Sequence, residues 1–170
     1  MSMTLTIVAL GEDKMARVLA DPGAALDLVF PEDETALDGG SVVDLDKSWH
    51  GIHYLLTGTA WEGEPPLNAL VAGGRELPDP EGEWGYGPPR VLNPPDTIAF
   101  ATALDLLSDE ELAARFEPSD MLAKEIYPAI WDRDPADDDT LAWLMEYVTR
   151  LREFIREALR EPRGLLIAII

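Results

Sequence analysis

Two histidines and one aspartate are the residues of this chain whose types and spacing could perform chemistry. His50 and His53 are the only histidines among the 170 residues, and they lie three positions apart on a predicted helix. Asp46 precedes them by one turn, and residues three or four apart share one helix face. Neutral imidazoles and a carboxylate suit zinc or a similar ion. The sequence therefore offers a small hydrolase or metal-dependent enzyme that uses Asp46, His50 and His53.

The spacing of the two histidines also supports a plain packing role. Zinc-protease helices place their histidines four apart with a glutamate between them, whereas Gly51 and Ile52 separate this pair. His53 falls beside the apolar side of the helix, where a histidine is usually part of the core. Both interpretations stay open, and we expect no cofactor.

The remaining candidate nucleophiles and carboxylates fit structural roles better than catalytic ones. Ser108 and Ser119 stand where helix caps are expected, and no Gly-x-Ser-x-Gly elbow occurs. The acidic run 137–139 is favoured by the dipole at the start of a helix. Because the chain has 33 acidic residues, carboxylate pairs arise by chance. No cysteine is present, so disulfides, thiolate metal sites and cysteine nucleophiles are excluded.

Charge is the strongest compositional feature of the chain. Thirteen Lys and Arg against 33 Asp and Glu give a formal net charge of −20. Such a balance argues against binding nucleic acid or an anionic membrane, since both need a basic surface. It would instead speed encounter with a basic protein, such as a toxin that this chain antagonises. An acidic, solvated surface without a dedicated partner is the alternative.

Aromatic residues supply the candidate binding surface. Bulky aromatics in loops either plug the core or form a contact surface for a partner. Together with the neighbouring helix, these loops give the following candidate binding residues: Trp49, His53, Tyr54, Trp61, Trp84 and Tyr86. The leading hypothesis is a non-enzymatic binding or interaction domain.

Hydrophobic periodicity predicts one α+β domain over residues 1–170. Strands are expected at 4–10 and 165–170, with shorter ones at 74–77 and 90–92. We expect them to form a small mixed sheet that includes both terminal strands and packs against about five helices. The predicted helices are 11–20, 44–58, 94–107 and one that begins near 139, with short ones at 24–30, 67–71 and 119–125. Exposed loops are predicted at 31–40 and 78–89, which are rich in turn-forming residues.

Neither end of the chain resembles a targeting segment. No basic residues precede the apolar stretch 4–10, and the longest apolar run near the C-terminus is far shorter than the roughly 20 residues that span a membrane. We therefore expect a cytoplasmic protein.

Several short elements in a fixed order resemble the YfbM-like family, a set of small bacterial proteins of unknown function. They are Asp-x-Asp-Lys-x-Trp and His-x-x-Leu-Thr-Gly within 44–58, Pro66-Leu67, and Glu125-Ile126-Tyr127-Pro128. The resemblance runs over nearly the whole chain and implies an α+β fold and a cytoplasmic protein, but no catalytic residues. His50 and the acidic loop 78–87 depart from the family pattern. The departure leaves Asp46, Trp49 and His53 as the better candidate positions.

Overall fold

A five-stranded antiparallel sheet forms the centre of the protein in the computed structural model, which describes residues 2–33 and 41–170. The strands are β1 (Leu5–Leu10), β2 (Val42–Asp44), β3 (Arg75–Glu76), β4 (Arg90–Leu92) and β5 (Gly164–Ile169), in the order β2-β1-β5-β4-β3. The two terminal strands pair with each other over their full length, with Ile7 opposite Ile167. The α+β class is thus confirmed. In detail, the sheet is antiparallel throughout instead of mixed, because every pairing runs in opposite directions.

Both faces of the sheet are covered, as the apolar character of β1 and β5 requires. Leu5, Ile7 and Ala9 belong to the larger core cluster, whereas Val8 and Leu10 belong to a smaller one. Side chains alternate between the two faces of a strand, so these clusters lie on opposite sides of the sheet. We call them the main face and the minor face.

Seven α-helices cover these faces in the described part of the chain. They are α1 (Glu12–Ala20), α2 (Ala24–Val29), α3 (Trp49–Thr57), α4 (Pro94–Asp105), α5 (Asp109–Ala114), α6 (Pro118–Ala123) and α7 (Thr140–Ala158). Residues of α1 and α2 join the minor-face cluster, and residues of α3 to α7 join the main-face cluster. None of the helices in residues 2–33 and 41–170 has the length and apolarity needed to span a membrane.

Two predicted helix starts are confirmed by their capping hydrogen bonds. Ser108 and Glu111 form the reciprocal capping box of α5, and the Asp139 carboxylate accepts the Ala142 N–H at 2.9 Å at the start of α7. The cap expected at Ser119 is wrong, since Ser119 lies inside α6. The helix begins at Pro118, whose ring presets a helical φ and carries no N–H to satisfy.

Two further predicted helices differ in extent. The segment 44–58 is helical only from Trp49, since Asp44 ends β2 and Asp46–Ser48 form a 3₁₀ turn. Residues 67–71 form successive turns instead of a helix. The carbonyls of Ala69 and Leu70, near the end of this segment, accept hydrogen bonds from the Arg90 side chain. Most of the acidic loop predicted at 31–40 lies outside the described residues.

Candidate functional site

The helix α3 carries most of the candidate residues and is almost wholly buried. Its residues 49–56 are all buried, and Gly58 ends the helix in the left-handed conformation, with φ of 73°. Gly51 allows a close approach to the core, because a Cβ there would lie 2.7 Å from the Trp131 ring and 2.8 Å from Leu144. Side chains on α3 therefore meet other protein groups before they meet solvent.

Both ring nitrogens of His50 are hydrogen-bonded to the backbone. The Tyr127 N–H donates to Nδ1 at 3.0 Å, so Nδ1 carries no proton. Nε2 lies 2.7 Å from the Ala60 carbonyl oxygen and must be the nitrogen that donates. Burial lowers the pKa of His50, and the Ala60 carbonyl opposes this only in part. His50 is a neutral ring that joins two loops to α3.

An aromatic cluster surrounds His50. Its ring stacks on Trp49 with centroids 4.8 Å apart and lies 4.4 Å from the Trp61 ring. Tyr127 completes the cluster, 6.3 Å from Trp49. Trp49 is fully buried and its Nε1–H donates to the Met3 carbonyl at 3.2 Å. Trp61 is the solvent-facing member, with 52% of its surface exposed.

His53 lies in a different environment from His50, although both are fully buried. Its Nε2 is 3.3 Å from the Thr57 hydroxyl and 3.5 Å from the Thr59 hydroxyl. Nδ1 has no hydrogen-bond partner among the residues that the structure describes. Burial lowers the pKa of His53 to about 4, helped by the nearby His50 and Arg90 and opposed by the backbone of Glu62.

Asp46 does not join the two histidines. It lies in the 3₁₀ turn before α3, where its own N–H donates to the Asp44 carboxylate at 2.7 Å. Because the chain enters the α-helix only at Trp49, Asp46 is off the helical face that the sequence suggested. No three His, Asp or Glu side chains are grouped to hold a metal ion anywhere in residues 2–33 or 41–170. The predicted Asp46, His50 and His53 constellation is therefore not assembled.

Tyr54 is buried but keeps its hydroxyl in a charged network. It donates to the Asp120 carboxylate at 2.7 Å, and Asp120 also pairs with Lys124. Burial first, and then the hydrogen bond to Asp120, raise the pKa of Tyr54 to about 12. The bonds from Lys124 and Tyr54 lower the pKa of Asp120. The network ties α3 to α6.

Trp84 and Tyr86 lie away from the other candidate binding residues. Trp84 is buried in the minor-face cluster, where its ring is 6.2 Å from that of Phe30. Tyr86 is half-buried in the same loop. The six candidates thus divide between the two faces of the sheet, with Trp49, His53, Tyr54 and Trp61 on the main-face side.

Sequence inspection missed two polar residues: Arg90, whose charge helps to lower the pKa of His53, and Asn68, which lies in the turns of residues 65–72. Arg90 is 7% exposed and its guanidinium donates to the carbonyls of Ala69, Leu70 and Gly73. Burial lowers its pKa to about 10, while Glu76 opposes this. A signal was present, since Arg90 is the only basic residue between Arg75 and Arg115 and sits in an apolar strand. Asn68 offered no such signal.

Comparison with known proteins covers both sequence and fold. Among curated proteins, none matches the chain significantly. A solved structure described as a protein of unknown function, YfbM from Escherichia coli, is similar with a TM-score of 0.74 and 22% identity. The match covers 98% of this chain and 99% of that one, and it supports the fold. The sequence model of the family described as Domain of unknown function (DUF1877) matches residues 1–168, and the chain therefore belongs to that family.

Proposed function

We propose that the chain is a non-enzymatic binding domain that recognises a basic protein through an acidic surface around Trp61. The observation that carries this proposal is Trp61 itself. Half of the ring faces solvent, while the other side packs against the buried His50 and, 5.9 Å away, Trp49. A rigid exposed tryptophan loses little entropy on binding, and tryptophans are frequent energetic centres of protein interfaces.

The charge around this tryptophan favours a basic partner. Glu62 and Glu64 follow it in the chain and are exposed; these three residues are called the Trp61 surface below. The chain cannot neutralise its acidic excess internally, since its net charge is −20. Within residues 2–33 and 41–170, eight of the thirteen basic side chains form ion pairs, and two more, Arg90 and Arg115, donate to backbone carbonyls. A basic protein in the cytoplasm, such as a toxin, is the partner that this field would attract.

The hydrolase alternative gains no support from α3. A catalytic or metal-binding histidine needs a free nitrogen that a substrate or ion can reach. Both nitrogens of His50 are bonded to backbone groups, and His53 is fully buried. Neither ring has such a nitrogen in the arrangement described above.

The test is affinity capture from host lysate with three baits: the unaltered protein, Trp61→Ser and Phe30→Ser. Phe30 is the matched control because it is 54% exposed but packs beside Trp84 on the minor face. We expect one stoichiometric basic protein that salt releases, that Trp61→Ser loses and that Phe30→Ser retains. An empty eluate, or a partner that Trp61→Ser retains at full strength, would contradict the proposal.

A further inference from the structure

The outer side of α4 is apolar, unlike the outer side of α7. From residue 97 onward, the exposed residues of α4 and its C-cap are Ile98, Ala99, Thr102, Asp105 and Leu106, of which only Asp105 is charged. In α7, by contrast, all but one of the exposed residues from 146 to 157 are glutamate or arginine. A helix that is apolar on all sides is normally buried on all sides. The outer side of α4 is therefore a candidate contact surface.

Two large side chains dominate this surface. Leu106 is 78% exposed and Ile98 is 50% exposed, and no other large apolar side chain in the described residues is as exposed as Leu106. They are eight residues apart with Thr102 midway, so the three lie along one side of the helix. These three residues are called the α4 stripe below. Exposed apolar patches on soluble domains mark sites of interaction.

A groove of about 300 Å³ lies beside the α4 stripe, between α4 and α7. It has room for an aliphatic side chain from another molecule. Its apolar lining comes from both helices and includes Ile98, Ala101, Leu104, Ile155 and Leu159.

The charged side chains of the groove already have partners within the chain. Arg156 pairs with Asp105 at 3.4 Å. Arg152 pairs with Asp109 and also donates to the Leu104 carbonyl oxygen. Removing water from a paired charge costs much less than removing it from a bare one. The groove can therefore be covered without leaving an unpaired charge behind.

The helices α4 and α7 run antiparallel along this groove. The end of α4 lies beside Arg152, which donates to the Leu107 carbonyl, whereas Pro94 at its start lines one hollow together with Pro162. The last residues of α7 and the arginines that follow them are therefore close to the first turn of α4.

The two ends of the surface consequently carry opposite charges. Residues 150–163, which lead to the start of α4, contain five arginines against three glutamates in a chain whose net charge is −20. At the other end, the acidic first turn of α5 follows α4 directly, and its Glu110 is exposed and forms no ion pair within the described ranges. Arg160 is the most exposed of the ion-paired arginines, at 76% of its side chain.

A surface with an apolar middle and ends of opposite charge is complementary to itself. A two-fold axis at Thr102 would place Leu106 of one copy over Ile98 and the groove of the other. The same axis would bring Glu110 of each copy towards Arg160 of the other, so that every contact occurs twice. Over the rest of the molecule the net charge opposes self-association, since both copies carry −20.

We propose that the α4 stripe and the groove beside it bind a second copy of this chain, with the two α4 helices antiparallel across a two-fold axis. The inference does not depend on the proposed function, which concerns the Trp61 surface. A basic partner is not favoured at the α4 stripe, because one end of this surface is already rich in arginine.

Sedimentation velocity of the intact protein, over a wide range of concentrations at physiological ionic strength, tests the proposal. We expect a reversible equilibrium between monomer and dimer. Leu106→Ser should raise the dissociation constant of the dimer at least about tenfold, since each copy loses one leucine from the contact. Phe30→Ser, which removes a 54% exposed ring from the minor face, is the matched control and should dimerise normally. A monomer at every concentration, or a dimer that Leu106→Ser leaves unchanged, would overturn the inference.

Charge reversal tests the two-fold arrangement itself. Glu110→Arg and Arg160→Glu should each weaken self-association, because every homodimer then contains two contacts between like charges. In an equimolar mixture of the two variants, a mixed dimer joins opposite charges at both contacts, so dimerisation should return. If the mixture associates no better than either variant alone, the antiparallel arrangement is refuted.

Discussion

The surroundings of His50 and His53 differ more than their positions suggest. Both rings are fully buried on α3, one helical turn apart. His50 has a backbone partner for each nitrogen and packs against two tryptophan rings, Trp49 and Trp61. His53 has long contacts to two threonine hydroxyls at Nε2, lies near the backbone of Glu62, and has no hydrogen-bond partner at Nδ1 among the described residues. Both ring nitrogens of His50 thus have hydrogen-bond partners, whereas the His53 ring keeps unused hydrogen-bonding capacity.

This difference indicates where function is to be sought. A buried polar group whose hydrogen bonds are all formed stabilises the fold and has no free atom to offer a ligand. His50 therefore contributes to function by positioning the Trp61 ring that packs against it. Among the described residues, the other buried side-chain atom without a hydrogen-bond partner is Asn68 Oδ1, whose amide nitrogen donates to the Gly63 carbonyl in the loop after α3. Unpaired buried groups are rare in stable folds, so they mark places where a further partner would add stability.

The largest expected effect is the loss of His50. His50→Leu removes both hydrogen bonds and leaves the Tyr127 N–H and the Ala60 carbonyl without the ring. Each such buried group costs about 1–3 kcal/mol, so we expect the free energy of unfolding to fall by about 3 kcal/mol at pH 7. Urea denaturation followed by tryptophan fluorescence measures this.

His53→Leu is the matched control for that substitution. It removes an equally buried ring that has weaker contacts, so its loss at pH 7 should be clearly smaller. If the two substitutions lowered the free energy of unfolding equally, the proposed difference between the hydrogen bonding of His50 and that of His53 would be contradicted.

A pH series separates the two histidines further. Folding lowers the pKa of His53 from 6.5 to about 4, so the unfolded chain binds the extra proton as the pH falls below 6.5. The stabilisation is full above pH 6.5 and is lost as the pH falls towards 4, up to about 3 kcal/mol. Relative to His53→Leu, the unaltered protein should therefore lose stability over that window. Parallel curves for the two proteins between pH 7 and 4 would refute the buried, neutral state of His53.

The smallest effect is expected at Tyr54, the residue after His53. The Tyr54 hydroxyl, like the ring nitrogens of His50, has a hydrogen-bond partner. Folding raises its pKa from 10 to about 12, so its stabilisation is present below pH 10 and is lost as the pH rises through 12. Tyr54→Phe should flatten this part of the alkaline unfolding curve, and Tyr86→Phe serves as the comparison. If both variants unfold in alkali as the unaltered protein does, the Tyr54–Asp120 bond contributes nothing there.

Much of the fold could be predicted because its signals are local. The apolar β-branched residues of 4–10 and the 3.6-residue pattern after Asp139 each specify an element by themselves. The helix predicted at 67–71 is wrong: the segment forms successive turns, with bonds such as that from the Val71 N–H to the Asn68 carbonyl. A five-residue pattern is too short to specify a helix by itself. In the candidate site, the sequence identified Trp61 but could not distinguish it from Trp84, because exposure depends on what packs over each ring.

The sequence by itself determined the acidic charge, the α+β class, the terminal strands, and the family to which the chain is similar. The net charge is a sum over all residues, and the other properties follow from patterns among residues that are close in the sequence. Only the tertiary structure decided that Asp46 stands apart from the histidines, that Tyr127 and Ala60 saturate His50, and that the Asn68 oxygen has no partner in the described part of the chain. Such contacts join residues up to 77 positions apart, and their hydrogen bonds depend on distances of a few tenths of an ångström that no local pattern encodes.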